Sequence, residues 1–197
     1  MSEKKKTPKK ISSKYQKAID ELDYEIDVDQ LLLHSRDLFL YGEITEKSAY
    51  KINKQLLALA KISSDPIAMW INSCGGSCSA GWAIIDTMRG LKCPVLTFVN
   101  GSAMSMAGLI SIAGHKRVIT TNSTWMGHEA RTFGGDYITK ILDREAHYKV
   151  LDKQIQKHLK KYTRLNAKDL DTARKGELWL TATQCKSKGI VDVIARV

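Results

Sequence analysis

The sequence predicts an α/β domain made of repeated strand–helix units on a mainly parallel sheet. Three observations carry that expectation. Apolar runs of strand length alternate with longer stretches of helical period, the pattern left by helical crossovers between parallel strands. Two of those runs, 67–71 and 94–99, are nearly continuous in apolar residues, as strands covered on both faces are. The chain has 197 residues, 43% of them hydrophobic and 26% charged, which is one domain's worth of ordinary globular sequence. A domain of that length buries roughly 70% of the surface its unfolded chain exposes and needs no disulfide or metal staple.

The elements follow in order. Residues 1–20 are expected to be a disordered basic tail and 21–197 the folded domain. Within the first 17 positions seven lysines face Glu3 alone, and such a segment buries too little apolar surface to offset its ordering entropy. Residues 37–41 predict a strand. Residues 45–62 predict a helix whose Ala49, Ile52, Leu56 and Leu59, three and four apart, make one face for a sheet. The strand at 67–71 ends in Asn72-Ser73-Cys74-Gly75-Gly76, a turn at its carboxyl end. A helix over 80–88, a strand over 94–99 and a sharp bend at 101–107 into a short helix repeat the same grammar. Residues 116–120 and 124–126 predict short strands around the turn-prone Thr121-Asn122-Ser123. From 136 to 162, Ile138, Ile141, Leu142, Tyr148, Leu151, Ile155 and Leu159 form one amphipathic stripe near seven turns long, which either crosses the domain or projects to meet another subunit. Thr181 and Gln184 form a capping box that opens a brief helix stopped by Gly189, and 190–197 predicts a closing strand.

Composition excludes several function classes. The longest apolar stretch, at 106–114, is interrupted by Ser111 and is about half the ~20 residues a membrane helix needs. No apolar run follows the lysine-rich start, so it does not read as a secretory signal, and a cytoplasmic location is expected. The formal charge is +10, but much of the excess lies in the tail. A second basic run, Lys149, Lys153, Lys157, Lys160, Lys161 and Arg164, has helical spacing and reads as a solvated face. Neither run accompanies a nucleic-acid-binding motif. Cys74, Cys78, Cys93 and Cys185 contain no CxxC pair and no histidine at finger spacing, so free thiols rather than zinc or disulfides are expected.

Chemistry is sought where loops and helix N-termini converge, at the carboxyl ends of parallel strands. At 72–76, Gly75 and Gly76 let successive amides point into one concavity that suits a developing oxyanion, although a plain tight turn has the same signature. At Ala103-Met104-Ser105-Met106-Ala107, small residues two before and two after the serine permit a cramped strand-to-helix bend that exposes a nucleophilic hydroxyl. A serine N-cap is the competing interpretation. A serine nucleophile needs a base. Of the five histidines, His34, His115, His147 and His158 read more simply as surface or packing residues. His128 follows the strand at 124–126 and projects toward the same rim. Cys74, beside the two glycines, ranks below Ser105 as nucleophile.

Taken together, Gly42-Glu43-Ile44, Trp70-Ile71-Asn72-Ser73-Cys74-Gly75-Gly76-Ser77, the run from Ala80 through Asp86 to Met88, the bend at 101–107 and Met126-Gly127-His128 resemble the proteolytic subunit of the Clp protease, in order from about residue 24 to the C-terminus. The resemblance implies the ClpP/crotonase fold and a Ser-His-Asp serine peptidase that cleaves unfolded proteins or peptides through an acyl-enzyme, without metal or organic cofactor. It also implies heptameric rings stacked into a barrel, with the long helix joining the rings, and an AAA+ unfoldase as partner. By position, Ser105 corresponds to the nucleophile, His128 to the general base, and the amides of Met106 and of Gly75-Gly76 to the oxyanion hole.

The third member departs from the pattern. An ungapped match through Leu180-Thr181-Ala182 and Gly189-Ile190-Val191-Asp192 puts Ala173 where the orienting aspartate belongs. Asp171 is the nearest candidate, yet two residues are about 200° of helix rotation, so it serves only if the chain shifts or unwinds locally. Asp169 and Glu177 are the other carboxylates in range. Cys74 replaces the family's proline, His128-Glu129-Ala130 replaces His-Gln-Pro, and Gly90 stands where an aromatic helps dock the unfoldase, which argues against that partner while Trp70 keeps a neighbouring aromatic. These are features of a divergent relative, phage-type or accessory. Three other readings are a catalytically weak or inactive ring subunit, suggested by Ala173; a crotonase-type acyl-CoA enzyme, opposed by the Ser105–His128 pair; and nucleic-acid binding through the basic tail, which predicts steeply salt-dependent association.

Overall fold

The structure is a computed structural model that describes residues 27–130 and 138–196. The expected basic tail at 1–20, the first residues of the expected domain, residues 131–137 and Val197 lie outside the described residues. The elements run α1 (Val28–His34), β1 (Asp37–Ile44), α2 (Glu46–Ile62), β2 (Ile67–Gly76), α3 (Cys78–Gly90), β3 (Val95–Met104), α4 (Met106–Ile112), β4 (Lys116–Thr120), β5 (Thr124–His128), α5 (Ile138–Tyr162), α6 (Ala167–Lys175), β6 (Glu177–Thr181), α7 (Ala182–Ser187) and β7 (Val193–Ala195). Strands β1-β2-β3-β4-β7 lie side by side and pair in parallel, as the alternation predicts. The exception is β6, which runs antiparallel to β5.

Helix α2 buries Ala49, Ile52, Leu56 and Leu59, the predicted stripe, and opens on a Thr45–Ser48 capping box. The Thr181–Gln184 box likewise opens α7. Three expectations change. First, β2 and β3 are not covered on both faces. Met69, Ile71, Val95 and Val99 are buried, but Trp70 stacks between Phe39 of β1 and Phe98 of β3, at ring separations of 6.5 and 4.7 Å, on the more open face. Second, both strands run about five residues beyond their apolar cores, through Gly76 and Met104, because pairing with neighbours overrides local turn preference. Third, the closing strand is shorter than 190–197. It is anchored by Arg117, whose guanidinium grips the Asp192 carboxylate and holds that carboxyl below its usual range.

The register of β2 slips on both sides at one level. Tyr41 pairs with Asn72 but Glu43 with Gly75, and Ile71 pairs with Val99 but Ser73 with Ala103. At the same level β3 changes partners. Residues 96–99 pair with β4, and residues 102–104 pair with β5. Buried Ser123 fills the fork: its hydroxyl accepts from the Gly101 amide at 2.8 Å, donates to the Val99 carbonyl at 3.2 Å and lies 2.6 Å from Thr120 Oγ1. Beyond that fork the strand ends carry the candidate chemistry.

Candidate active site

Ser105 connects the last residue of β3 to the first of α4. Its amide donates to the Met126 carbonyl of β5 at 2.8 Å, and its carbonyl accepts from the Leu109 amide at 3.2 Å, so its main chain is held from both sides. The connection is strained, with φ 53° and ψ −123°, a conformation that costs a non-glycine residue about 1–3 kcal/mol and clusters at functional sites. Although Ser105 occupies the N-cap position, its side chain makes no capping hydrogen bond. The serine-cap interpretation left open by the sequence does not describe this residue.

Gly75 packs directly on the bend. With φ 93°, a Cβ there would lie 2.8 Å from Ser105 Cβ, 2.8 Å from the Met104 carbonyl oxygen and 3.0 Å from the Met106 amide nitrogen. At Gly76 a Cβ would meet the backbone of Ile44. Only glycine lets the end of β2 lie against both β1 and the elbow. The Met106 amide is in the first turn of α4, where no intrahelical acceptor exists. The Gly75 amide differs: it donates to Ser73 Oγ at 3.1 Å, and Ser73 is 2% exposed. Sequence reasoning did not single out Ser73, whose only signal is its place in the strand alternation.

His128 ends β5, half-buried. Ser105, Met106 and His128 line one small cavity of about 20 Å³, room for roughly one water, together with Cys78, Leu109, Gly127, Ala130, Ile155 and Leu159. Among the described residues this lining is mostly apolar and, His128 apart, carries no ionisable group but the Cys78 thiol. Nothing in the residue pattern places Cys78 here. Burial raises its thiol above the usual range, which keeps it protonated and unsuited to compete as nucleophile. Cys74 is exposed and is not among the residues around the recess.

The carboxylates are arranged differently from the serine and histidine. The Glu129 amide donates to the Ala173 carbonyl at 3.0 Å, so position 173 is the part of α6 tied to the chain just after His128, and Ala173 is buried. Asp171 sits on the outer side of α6, bonded at 2.9 Å to Lys175 one turn away, and lines a different depression between α5 and α6. Asp169 caps α6 and holds Lys188 at 2.7 Å. Glu177 is directly opposite His128 in the antiparallel β5–β6 register and accepts from Trp179 Nε1 at 3.0 Å. Opposed residues in such a pair have Cβ atoms about 4.5–5.5 Å apart and share a sheet face. Among the described residues no cluster of three His, Cys, Asp or Glu could hold a metal ion, and no helix is long and apolar enough to cross a membrane.

The family model described as Clp protease matches residues 20–197. The ATP-dependent Clp protease proteolytic subunit of Bdellovibrio bacteriovorus is 35% identical over 172 residues, covering 84% of this chain and 81% of that one. Subunit 1 of Chlamydia pneumoniae is 32% identical, covering 85% and 90%, and the Streptococcus suis subunit is 31% identical, covering 85% and 88%. With its sheet order and its strand-to-helix elbows, the chain belongs to the Clp protease family and has the ClpP/crotonase fold.

Proposed function

We propose that this chain is a serine endopeptidase subunit of the ClpP type, acting through Ser105 and His128. One observation carries the reading: a strained, uncapped serine lines the same recess as a histidine, with a glycine strand pressed against its bend. In this mechanism Ser105 Oγ adds to the peptide carbonyl while His128 takes the hydroxyl proton. Collapse of the tetrahedral intermediate expels the amine, which receives that proton, and leaves an acyl-serine. Water, deprotonated by the same imidazole, then releases the acid and frees the serine. The Met106 amide is the principal oxyanion donor, because the Gly75 amide is shared with Ser73 Oγ.

Of the carboxylates, Glu177 is best situated to orient His128, by strand register; Asp171, the candidate favoured from the resemblance, is engaged by Lys175. Substrates are unfolded polypeptides or peptides, and the working form is a homo-oligomeric barrel in the cytoplasm, with residues 1–20 a basic tail and no metal or organic cofactor. Gly90, with nothing within 4 Å of a Cβ built there, leaves open surface where the family docks its unfoldase, so an AAA+ partner would rely on the exposed Phe39 and Tyr41 beside Trp70. A second reading, a catalytically weak ring subunit, is favoured by Ala173 alone. A fluorophosphonate probe separates the two: the endopeptidase is labelled at Ser105 and cleaves unstructured protein, whereas the weak subunit does neither. Glu177→Gln should slow turnover about 10–10⁴-fold if Glu177 orients the ring; an unchanged rate removes it from the mechanism.

A further inference from the structure

Helix α4 is seven residues long and buried throughout. Its carbonyls are claimed by side chains from other elements. Trp125 Nε1 of β5 donates to the Gly108 carbonyl at 3.2 Å, and Thr97 Oγ1 of β3 donates to the Ser111 carbonyl at 2.7 Å. The Leu109 carbonyl would ordinarily accept from the Ala113 amide four residues on, but that amide donates to Ile110. The ring Nε2 of His158, on α5, stands 3.0 Å from it instead. A carbonyl oxygen only accepts, so Nε2 carries the proton. His158 is 7% exposed and packs edge-on against Trp82 of α3 and beside Tyr162.

We propose that His158 is a positioning residue for the nucleophile: by donating to the Leu109 carbonyl it ties α5 to the helix that begins at Ser105, and so fixes where the Ser105 hydroxyl and the Met106 amide stand. The neighbours make this an axial anchor rather than general packing. Leu109 contributes its side chain to the Ser105–His128 recess while its carbonyl holds His158, and Ile155 and Leu159, flanking His158 on α5, line the same recess. A shift of α4 along its axis therefore moves the reacting hydroxyl, the oxyanion donor and one wall together. Losing the Leu109 bond leaves a buried carbonyl unpaired and removes the one side-chain hydrogen bond, among the described residues, from α5 to α4.

The claim rests on the proposed role of Ser105, and the test separates the two. His158→Gln keeps an amide N–H the same number of bonds from the backbone as Nε2. His158→Asn is polar but one bond short, and His158→Leu has no donor. Fluorophosphonate labelling of Ser105 and kcat for a short peptide are expected to fall about 10–100-fold in the Asn and Leu variants with KM little changed, and to return to within about threefold of wild type in Gln. Amide hydrogen exchange over 106–113 should speed up in Asn and Leu and not in Gln. If Gln is as slow as Leu, or if Asn and Leu label at the wild-type rate, the positioning role is wrong. Should wild type itself resist the probe, the peptidase reading falls, and the exchange data still decide whether His158 anchors α4; unchanged exchange in both Asn and Leu overturns it.

Discussion

The chain leaves its sheet for a helix twice through a serine, and the two exits differ in backbone strain and in what the hydroxyl does. At β2–α3, Ser77 has φ −54° and ψ 122°, ordinary backbone, and its hydroxyl accepts from the Ala80 amide at 3.3 Å. At β3–α4, Ser105 has positive φ and no capping bond. One backbone is relaxed and its hydroxyl is consumed locally; the other is forced into an unusual bend and its hydroxyl is left facing a recess. The same residue type at the same topological position thus caps its helix in one case and not in the other, and the φ angle is what divides them.

The comparison breaks most decisively at Ser105. Ser105→Ala should lower peptide turnover about 10⁴–10⁶-fold and abolish probe labelling, while Ser77→Ala leaves labelling near wild type. Retained labelling in Ser105→Ala would move the nucleophile elsewhere. Next in size, Gly75→Ala forces a methyl to 2.8 Å from Ser105 Cβ and should cost about 10²–10³ in kcat, measured on a peptide at saturating concentration. Stability sharpens the contrast by going opposite ways. Urea unfolding should find Ser77→Ala less stable by about 1 kcal/mol through loss of a cap, and Ser105→Gly more stable by about 1 kcal/mol through relief of strain. A Ser105→Gly variant that is destabilised would show that the bend stores no strain.

The smallest effect concerns the other histidine. Burial holds the His158 imidazole below its ordinary pKa of 6.5, opposed by its hydrogen bond to the Leu109 carbonyl and, more weakly, by Asp86, while Lys161 and Arg89 act in the same direction as burial. The unfolded chain therefore takes up this proton first as pH drops. The contribution to stability is complete above about pH 6.5 and declines below it until the folded pKa is passed. Urea midpoints measured from pH 7.5 to 5 should fall less steeply in His158→Gln; parallel curves would exclude this coupling.

How far the sequence reached follows from what each element depends on. The α2 face was legible because Ala49, Ile52, Leu56 and Leu59 repeat with the helix itself. The two-sided burial expected of 67–71 failed because Trp70 is half-buried in an aromatic stack on the open face, and a stacked, partly exposed aromatic reads the same as a core one. The extensions of β2 to Gly76 and β3 to Met104 were hidden because glycine and serine favour turns locally and only a neighbouring strand overrides them. Strand β6 and helix α1 were not read at all, being short and flanked by polar residues. At the site, Ser105, His128 and the Gly75-Gly76 turn were singled out from local spacing and motif order, and the Met106 amide only from the family resemblance; the structure brings Ser105, Met106 and His128 to one cavity and packs Gly75 on the Ser105 bend. Which of the candidate carboxylates Asp171, Asp169 and Glu177 lies nearest His128 was not legible, since it turns on the rotational phase of α6, which puts Ala173 inward and Asp171 outward, and on the register that sets Glu177 opposite His128. Ser73 and His158 were equally hidden, because which buried group a side chain bonds is decided by long-range packing.

The Ser123 fork has a geometric consequence. Ser105 and His128 both lie downstream of it, at the tips of two strands that are bonded to each other and detached from β4. Strand β2 still borders β3 at Ser73–Ala103 and β6 borders β5 along its length, so the spacing of the two side chains is set by β2, β3, β5 and β6 and not by β4.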